Sequence, residues 1–283
     1  MTKKTAICPS LTNPLTRQLA GCLRSRFWDL GKDEPRAPPP AILSPAVTTT
    51  QPTAAWRLRR MHDWLAQAYG PQHWWPAKTP FEVILGAYLT QNTSWKAVER
   101  SLDNLRTADA LTVDGLRSLP PQKLQQLIRP SGFYTRKAPA LKAFVAMLDK
   151  EFDGSLKKLA AAPTAALRTR LLALPGVGPE TADAILLYAL GHPVPIADEY
   201  LRRVSERHRL LTPASGHHRK GYDSMTALTR QAFSADPPES HARLFNEFHA
   251  LTVTVGKAPC RRAAQCAGCP LAADPHTTDA QSR

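Results

Sequence analysis

The sequence has 283 residues, and its 37 Lys and Arg against 23 Asp and Glu leave a formal net charge of +14. This excess favours a polyanionic partner such as DNA, through long-range attraction and counterion release, although many basic proteins bind no nucleic acid. No apolar run approaches the ~20 residues that cross a bilayer, and the five unevenly spaced cysteines do not make a disulfide scaffold. We therefore expect a cytoplasmic protein and exclude a membrane-spanning or disulfide-rich one.

Residues 1–55 contain a triple-proline and a triple-threonine run and show little hydrophobic periodicity. They cannot bury enough apolar surface to offset the entropy lost on ordering, so we predict a disordered, basic, proline-rich tail. Such a tail either tethers the protein loosely to DNA or is a dispensable extension. Residues 276–283 are expected to form a second, short tail.

From Trp56 onward, apolar residues recur at helical spacing in successive segments, of which 81–89 is the clearest. Prolines and glycines separate these segments, for example at Pro120, Gly154 and Pro163. The sequence shows neither an alternating strand pattern nor a repeat of solenoid length. It therefore predicts an all-α fold.

Residues 174–182 contain a glycine-rich turn between two predicted short helices, at 167–174 and 179–190. Gly176 and Gly178 permit positive φ and close backbone approach, and Pro179 suits the first helical position. Free N–H groups at the start of the second helix form an anion site. We predict that Gly176, Val177 and Gly178 hold a DNA phosphate without reading sequence, the alternative being an ordinary helix-turn-helix corner.

Asp198 follows an apolar link over residues 193–197 and precedes a further predicted helix. An aspartate at this point is a helix N-cap, a carboxylate facing a cleft, or both.

Residues 174–182 and Asp198 together resemble the helix-hairpin-helix-Gly-Pro-Asp superfamily of DNA base-excision enzymes, typified by endonuclease III. The resemblance extends from about Trp56 to Pro270, and segments 89–93, 131–134 and 246–251 agree with it. It implies a two-lobed all-α fold with a DNA-facing cleft. A six-helix barrel over 81–195 would contain the hairpin at about 165–191, and the second helical lobe would combine 56–80 with 196–275.

The resemblance also implies the chemistry. Asp198 occupies the position of the catalytic aspartate, and Glu180 the position where strand-cutting members carry a nucleophilic lysine. A carboxylate cannot form a Schiff base with the sugar, so that route is closed unless Lys96 or Lys137 substitutes. What remains is hydrolysis of the base–sugar bond, with Asp198 stabilising the oxocarbenium ion and activating water.

The sequence around Trp74, Trp75, Pro76 and Trp95 is similar to that of the 3-methyladenine DNA glycosylase branch of the endonuclease III family. This similarity implies that the four residues form a pocket for the base. Lys257 aligns loosely with a pocket lysine of that branch. N3-methylated adenine is a cationic, electron-poor ring, which indole faces attract by stacking and cation–π contact. The alternatives are core packing for the tryptophans and an exposed salt bridge for the lysine.

Two further residues are candidates for contact with DNA. Gln91 matches the residue that fills the gap left by the flipped nucleotide, although it is equally consistent with an ordinary loop residue. Lys137 is interpreted as a phosphate contact or a solvated charge.

Cys260, Cys266 and Cys269 resemble the C-terminal loop of endonuclease III, whose four thiolates hold a [4Fe–4S] cluster. Here the first gap is one residue shorter, and Pro275 stands where the fourth cysteine is expected. Three interpretations of this loop remain: a structural cluster completed by His276, a tetrahedral zinc site, or free thiols in a decayed motif.

The sequence thus predicts a monomeric, nucleoid-associated DNA glycosylase of base-excision repair. It would hydrolyse the N-glycosidic bond of alkylated purines, 3-methyladenine foremost, in duplex DNA, and the hydrolysis itself needs no cofactor. One alternative is an endonuclease III-like glycosylase with AP lyase activity for oxidised pyrimidines or mismatches. Another is a catalytically silent helix-hairpin-helix DNA-binding protein, against which Asp198 argues because phosphate binding requires no acid.

Overall fold

The structure, a computed structural model, describes residues 52–75, 77–211 and 218–276. Every regular element within these ranges is helical, which confirms the predicted all-α class. Most of the predicted N-terminal tail, Pro76 and residues 277–283 lie outside the described residues. The tail was predicted to reach residue 55, but the first helix already begins at Ala54, because the Thr53 side chain accepts the backbone N–H of Trp56 and caps it.

In chain order, the described α-helices are α1 (Ala54–Tyr69), α2 (Pro80–Leu89), α3 (Trp95–Thr107), α4 (Val113–Ser118), α5 (Pro121–Leu127), α6 (Tyr134–Phe152), α7 (Leu156–Ala160), α8 (Thr164–Leu172), α9 (Pro179–Ala184), α10 (Glu199–Arg207), α11 (His218–Ala232) and α12 (His241–Lys257). A π-helical turn, Ile185–Ala189, continues α9. Two 3-10 turns lie at Arg129–Ser131 and Pro238–Ser240. None of the described helices is long and apolar enough to span a membrane.

Helix α2 is the centre of the core. Every residue from Phe81 to Leu89 is buried, and the helix packs against α3, α6, α9 and the π-turn. Its buried Glu82 is paired with Arg106, at 2.7 Å between Oε1 and Nη2. This pairing offsets the cost of burying a carboxylate in an apolar helix.

Helices α1, α10, α11 and α12 pack on one another. Helices α10 and α12 approach closely at Gly256 of α12, where a Cβ atom would lie 2.4 Å from Cδ1 of Tyr200 in α10. Only glycine permits this distance, which brings the start of α10 beside the C-terminal turn of α12. The division of the chain into a barrel and a second lobe stays a prediction.

Candidate active site

The predicted hairpin is formed by α8 and α9. Gly176 has a φ of +73°, which favours glycine, whereas Gly178 has an extended φ of −93°. The expectation of positive φ is therefore met at Gly176 alone. Gly178 is the N-cap of α9 and has no side chain to cover the first N–H groups, and all described neighbours lie more than 4 Å from the place of its missing Cβ. The start of α9 is thus open to an anion.

Gln91 lies beside this hairpin. Its Nε2 donates to the carbonyl of Gly176 at 2.9 Å and to Oγ1 of Thr181 at 3.0 Å. The structure therefore brings the predicted gap-filling residue and the predicted phosphate site onto one surface.

The phosphate contact predicted for Lys137 requires an exposed amine, but the structure places this amine inside the protein. The side chain is buried, and Nζ donates to the carbonyls of Leu89 and Ser131, each at 2.8 Å, and to Oγ1 of Thr93 at 3.0 Å. Burial lowers the pKa of this amine to about 8. These hydrogen bonds join the loop after α2 to the turn before α6. The N–H donors of Lys137 are therefore taken up by protein oxygens.

Phe133 is a surface residue to which the sequence analysis assigned no function. It is 58% exposed and has a left-handed φ of +46°, which is unfavourable for a side chain of this size. Phe133 follows the turn that Lys137 ties to the Gln91 loop. A large exposed ring held in such a conformation marks a candidate contact surface. Its signal in the sequence is a bulky apolar residue inside a short polar turn.

Asp198 is the N-cap of α10, as one of the two predictions for it required. Its Oδ1 accepts the backbone N–H of Leu201 at 2.8 Å. The other oxygen, Oδ2, lies 3.4 Å from Nε2 of His249 in α12. Asp198 is only 9% exposed, so the carboxylate is held at a helix start with one oxygen still available.

Two residues to which the sequence analysis assigned no individual role, Tyr188 and His249, complete this centre. The hydroxyl of Tyr188, in the π-turn after α9, is hydrogen-bonded to Nδ1 of His249. Burial, followed by the charges of Asp198 and Glu247, raises the pKa of Tyr188 well above its usual range. Tyr188 therefore stays a neutral hydroxyl beside the imidazole. Tyr188 belongs to no motif singled out in the sequence, and segment 246–251, which contains His249, gives no local sign of this pairing.

Glu180 lies in the first turn of α9 and is exposed on one side. Even so, partial burial of its carboxyl group raises its pKa, and the charge of Asp198 raises it further. The two carboxylates are thus close enough to repel each other electrostatically. Glu180 occupies the edge of the Asp198 centre.

The predicted pocket tryptophans form one cluster. The ring centroids of Trp75 lie 6.0 Å from Trp74 and 5.4 Å from Trp95, both edge to face. Nζ of Lys257 lies 5.5 Å from the ring centroid of Trp74. At Gly86, a Cβ would lie 3.2 Å from Cζ2 of Trp75, so the missing side chain makes room for this indole. All four described pocket residues therefore come together.

Tyr188 connects the cluster to the acid. Its ring lies 5.3 Å from that of Trp75, and its hydroxyl bonds His249, which faces Asp198. The rings of Trp75 and Trp95 pack edge to face, and Nε1 of Trp95 donates to Oε1 of Glu99 at 2.8 Å.

The cysteine loop lines a separate cavity of about 20 Å³, with Cys260, Cys266, Cys269 and His276 in its wall. This volume accommodates little more than one water molecule. In the part of the chain that the structure describes, Cys, His, Asp and Glu side chains form no group of three that could hold a metal ion. The Cys260 thiol accepts from Nη1 of Arg207 at 3.2 Å. Nδ1 of His276 is bonded to the carbonyl of Asp274 at 2.8 Å. As placed, these residues fit neither a [4Fe–4S] cluster nor a zinc ion.

A buried ion cluster closes the same loop. Arg57 of α1 bonds both carboxylate oxygens of Asp274, with Nε 2.9 Å from Oδ1, and His208 bonds Oδ2 at 2.8 Å. Arg57 also donates to the carbonyl of Pro275, the residue at the position of the missing fourth cysteine. Ion pairs therefore hold the chain at the point where a fourth ligand was expected.

Comparison with known proteins identifies the family and the fold. A profile of the HhH-GPD superfamily base excision DNA repair proteins matches residues 85–223. Protein MJ1434 of Methanocaldococcus jannaschii, which its name places among DNA repair glycosylases, is 38% identical over 214 residues, or 75% of this chain and 92% of that protein. The H. pylori 3-methyladenine DNA glycosylase, solved with 1,N6-ethenoadenine, has a TM-score of 0.59 at 28% identity, over 72% of this chain and 97% of that one. A non-covalent endonuclease III–DNA complex has a TM-score of 0.61 at 23% identity, over 77% and 93% of the two chains, which is a likeness of fold.

Proposed function

Because the chain belongs to the HhH-GPD superfamily and is a DNA glycosylase of base excision repair, we propose that it hydrolyses the base–sugar bond of alkylated purines, 3-methyladenine foremost. The observation that carries this proposal is the continuity of the site. The tryptophan cluster adjoins Asp198 through Tyr188 and His249. An aromatic surface for a cationic base and a carboxylate for the sugar thus share one centre.

DNA is the partner of the chain, and three features support a docking surface around the hairpin. The open start of α9 would take a phosphate through its N–H groups. Gln91, bonded to the hairpin, would enter the space vacated by the flipped nucleotide. Phe133, exposed on the adjoining turn, would press against the bases beside that space. In this arrangement Lys137 supports both loops from within.

The proposed chemistry is a hydrolytic displacement. The C1′–N bond breaks with its electron pair going to the base, so a cationic 3-methyladenine leaves as a neutral purine without an acid catalyst. The ionised Asp198 stabilises the oxocarbenium ion that develops on the sugar. Water adds to C1′, and its proton passes to the Asp198 carboxylate. The product is an intact strand with an abasic site.

We also propose that the protein does not cut the strand, and this proposal depends on which amines could attack the sugar. Glu180 stands where an attacking lysine would be needed, and a carboxylate forms no imine. Lys137, a conceivable substitute, already donates to three protein oxygens.

The test uses duplexes carrying 3-methyladenine, thymine glycol or a G·T mismatch, each incubated with the protein and analysed with and without alkali. We expect strand breaks only at the alkylated base and only after alkali. Breaks without alkali, or borohydride trapping of the enzyme on DNA, would contradict a purely hydrolytic reaction. Activity confined to thymine glycol or the mismatch would replace the proposed substrate class.

Replacement of the predicted stacking residue should change selectivity. We expect Trp95→Ala to slow release of 3-methyladenine about 10- to 100-fold under single-turnover conditions, because stacking of a base on an aromatic ring is worth ~1–3 kcal/mol. The matched control is Trp56→Ala, an exposed tryptophan of α1 outside the cluster, which should keep the wild-type rate. Equal rates in the two variants would place the base elsewhere.

For the cysteine loop, we propose that arginines and Asp274 hold it without a metal. Protein purified anaerobically should then contain far less than one iron, zinc or sulfide per chain, and a chelator should leave thermal unfolding unchanged. Asp274→Asn should lower the free energy of unfolding by about 3 kcal/mol, because it leaves the Arg57 guanidinium without its partner carboxylate. Stoichiometric iron and sulfide, or unfolding by the chelator, would refute this.

A further inference from the structure

We propose that Tyr188 and His249 position the Asp198 carboxylate: Tyr188 selects the tautomer of His249, and His249 presents its Nε2–H to Asp198 Oδ2. This inference rests on the proposed function, since it concerns the acid that the proposed hydrolysis uses. His249 acts through Asp198 and is therefore a positioning residue.

The geometry assigns a separate partner to each oxygen of the acid. Oδ1 of Asp198 is occupied by the N–H of Leu201 at 2.8 Å, so the N-cap fixes the carboxylate at one end. Oδ2 faces Nε2 of His249 at 3.4 Å. His249 is buried, with an exposure of 8%, and its Nε2 has no hydrogen-bond partner among the described residues. A buried, unpartnered ring nitrogen aimed at the free oxygen of the acid needs an explanation.

The hydroxyl of Tyr188 decides which nitrogen carries the proton. Burial keeps Tyr188 neutral, so it has one proton to donate, and Nδ1 of His249 is the acceptor that the described structure provides. A neutral imidazole has one donor and one acceptor nitrogen. With Nδ1 accepting from Tyr188, the imidazole proton lies on Nε2, pointing at Asp198.

The surroundings explain why such a donor is useful. The acidic groups near this centre are Glu180 of α9 and Glu247 of α12, together with the hydroxyls of Tyr188 and Tyr200. Glu199 of α10 is also close enough to interact electrostatically with Asp198, but it lies on the exposed side of the helix, paired with Arg202. These carboxylates all disfavour a further negative charge. A polarised N–H directed at Oδ2 holds this oxygen of Asp198 in one orientation. The distance of 3.4 Å is longer than a good hydrogen bond, and we expect it to shorten when substrate binds.

The experiment compares His249→Leu, His249→Gln and Tyr188→Phe. Single-turnover release of 3-methyladenine is measured from pH 5 to 9, and binding is measured on a duplex with an uncleavable tetrahydrofuran abasic site. We expect His249→Leu to slow release about 10- to 100-fold, the range for a lost hydrogen bond to a charged group, with DNA affinity unchanged. The acid limb of its pH profile should move to higher pH, because ionised Asp198 has lost a donor.

His249→Gln should recover much of the rate, since its amide can place an N–H near Oδ2. Tyr188→Phe keeps the ring and should give an intermediate rate with the same direction of shift. The matched control is His241→Gln, on the same helix, whose imidazole bonds the backbone carbonyls of Phe233 and Asp236 and should not matter for the pH profile.

A wild-type rate and an unmoved acid limb in His249→Leu, with Asp198→Asn inactive, would overturn this inference and leave the proposed function standing. Activity of Asp198→Asn would instead refute the proposed function itself. If His249→Leu does not fold, the pH profile of Tyr188→Phe, which removes one oxygen, decides.

Discussion

Asp198→Asn is expected to abolish base release while leaving the fold and the affinity for DNA intact. Asparagine is as good an N-cap as aspartate, so its oxygen can keep the bond to the N–H of Leu201. The substitution removes the negative charge that would stabilise the oxocarbenium ion. Loss of one preorganised electrostatic group costs about 10²- to 10³-fold in rate or more. Single-turnover kinetics on a 3-methyladenine duplex measure this loss.

The matched control is Glu199→Gln, the adjacent acid, which pairs with Arg202 on the exposed side of α10. It removes the same charge one residue away and should leave the rate within about threefold of wild type. Circular dichroism and binding to an abasic-site analogue should show both variants folded and competent for DNA. An Asp198→Asn protein that releases the base at the wild-type rate would show that another group performs the chemistry.

Glu180→Lys is expected to convert the enzyme into one that forms a covalent intermediate with DNA. Glu180 lies at the edge of the Asp198 centre, close enough for the two charges to interact. An amine at this position can attack C1′, and an imine with the sugar leads on to strand cleavage. The measurement is borohydride trapping on a duplex, read as a shifted band on a denaturing gel, together with strand breaks that need no alkali.

Glu180→Gln is the control and should give no trapped complex, because an amide is not a nucleophile. It should also affect stability. The folded-state pKa of Glu180 is raised above 4.5, so its stabilising contribution is present below that pH and is lost as the pH rises through the folded pKa. At pH 7, Glu180→Gln should therefore be at least as stable as wild type in urea. Trapping by the wild-type protein would show that a different amine already serves the lyase reaction.

The helices could be predicted because their signals are local. The apolar stripe of α2 and the proline before α8 follow from helix periodicity and from the rigid backbone of proline. The boundaries shifted: the sequence predicted a helix over 167–174, and α8 spans Thr164–Leu172 because it starts directly after Pro163. The second predicted helix ends in a π-helical turn, which no local feature of the sequence predicts.

The candidate site was predicted only in part. Asp198, the hairpin and the tryptophans were identified from motifs, and the structure brings them to one centre. His249 and Tyr188 were missed, because they are 61 residues apart and meet only when α12 packs on the π-turn. The exposure of Phe133 and the burial of Lys137 likewise depend on how the loop after α2 meets the turn before α6.

By itself, the sequence determined the helical class, the hairpin, the capping aspartate and the presence of a carboxylate, Glu180, in the first turn of the second hairpin helix. Each of these depends on residues close in the chain, or on the chemistry of one side chain. Tertiary structure alone decided which groups face Asp198 and that the amine of Lys137 is buried. It also decided that ion pairs of Arg57 and Asp274 close the cysteine loop. These outcomes depend on burial and on distances between segments far apart in the chain, and helical periodicity specifies neither.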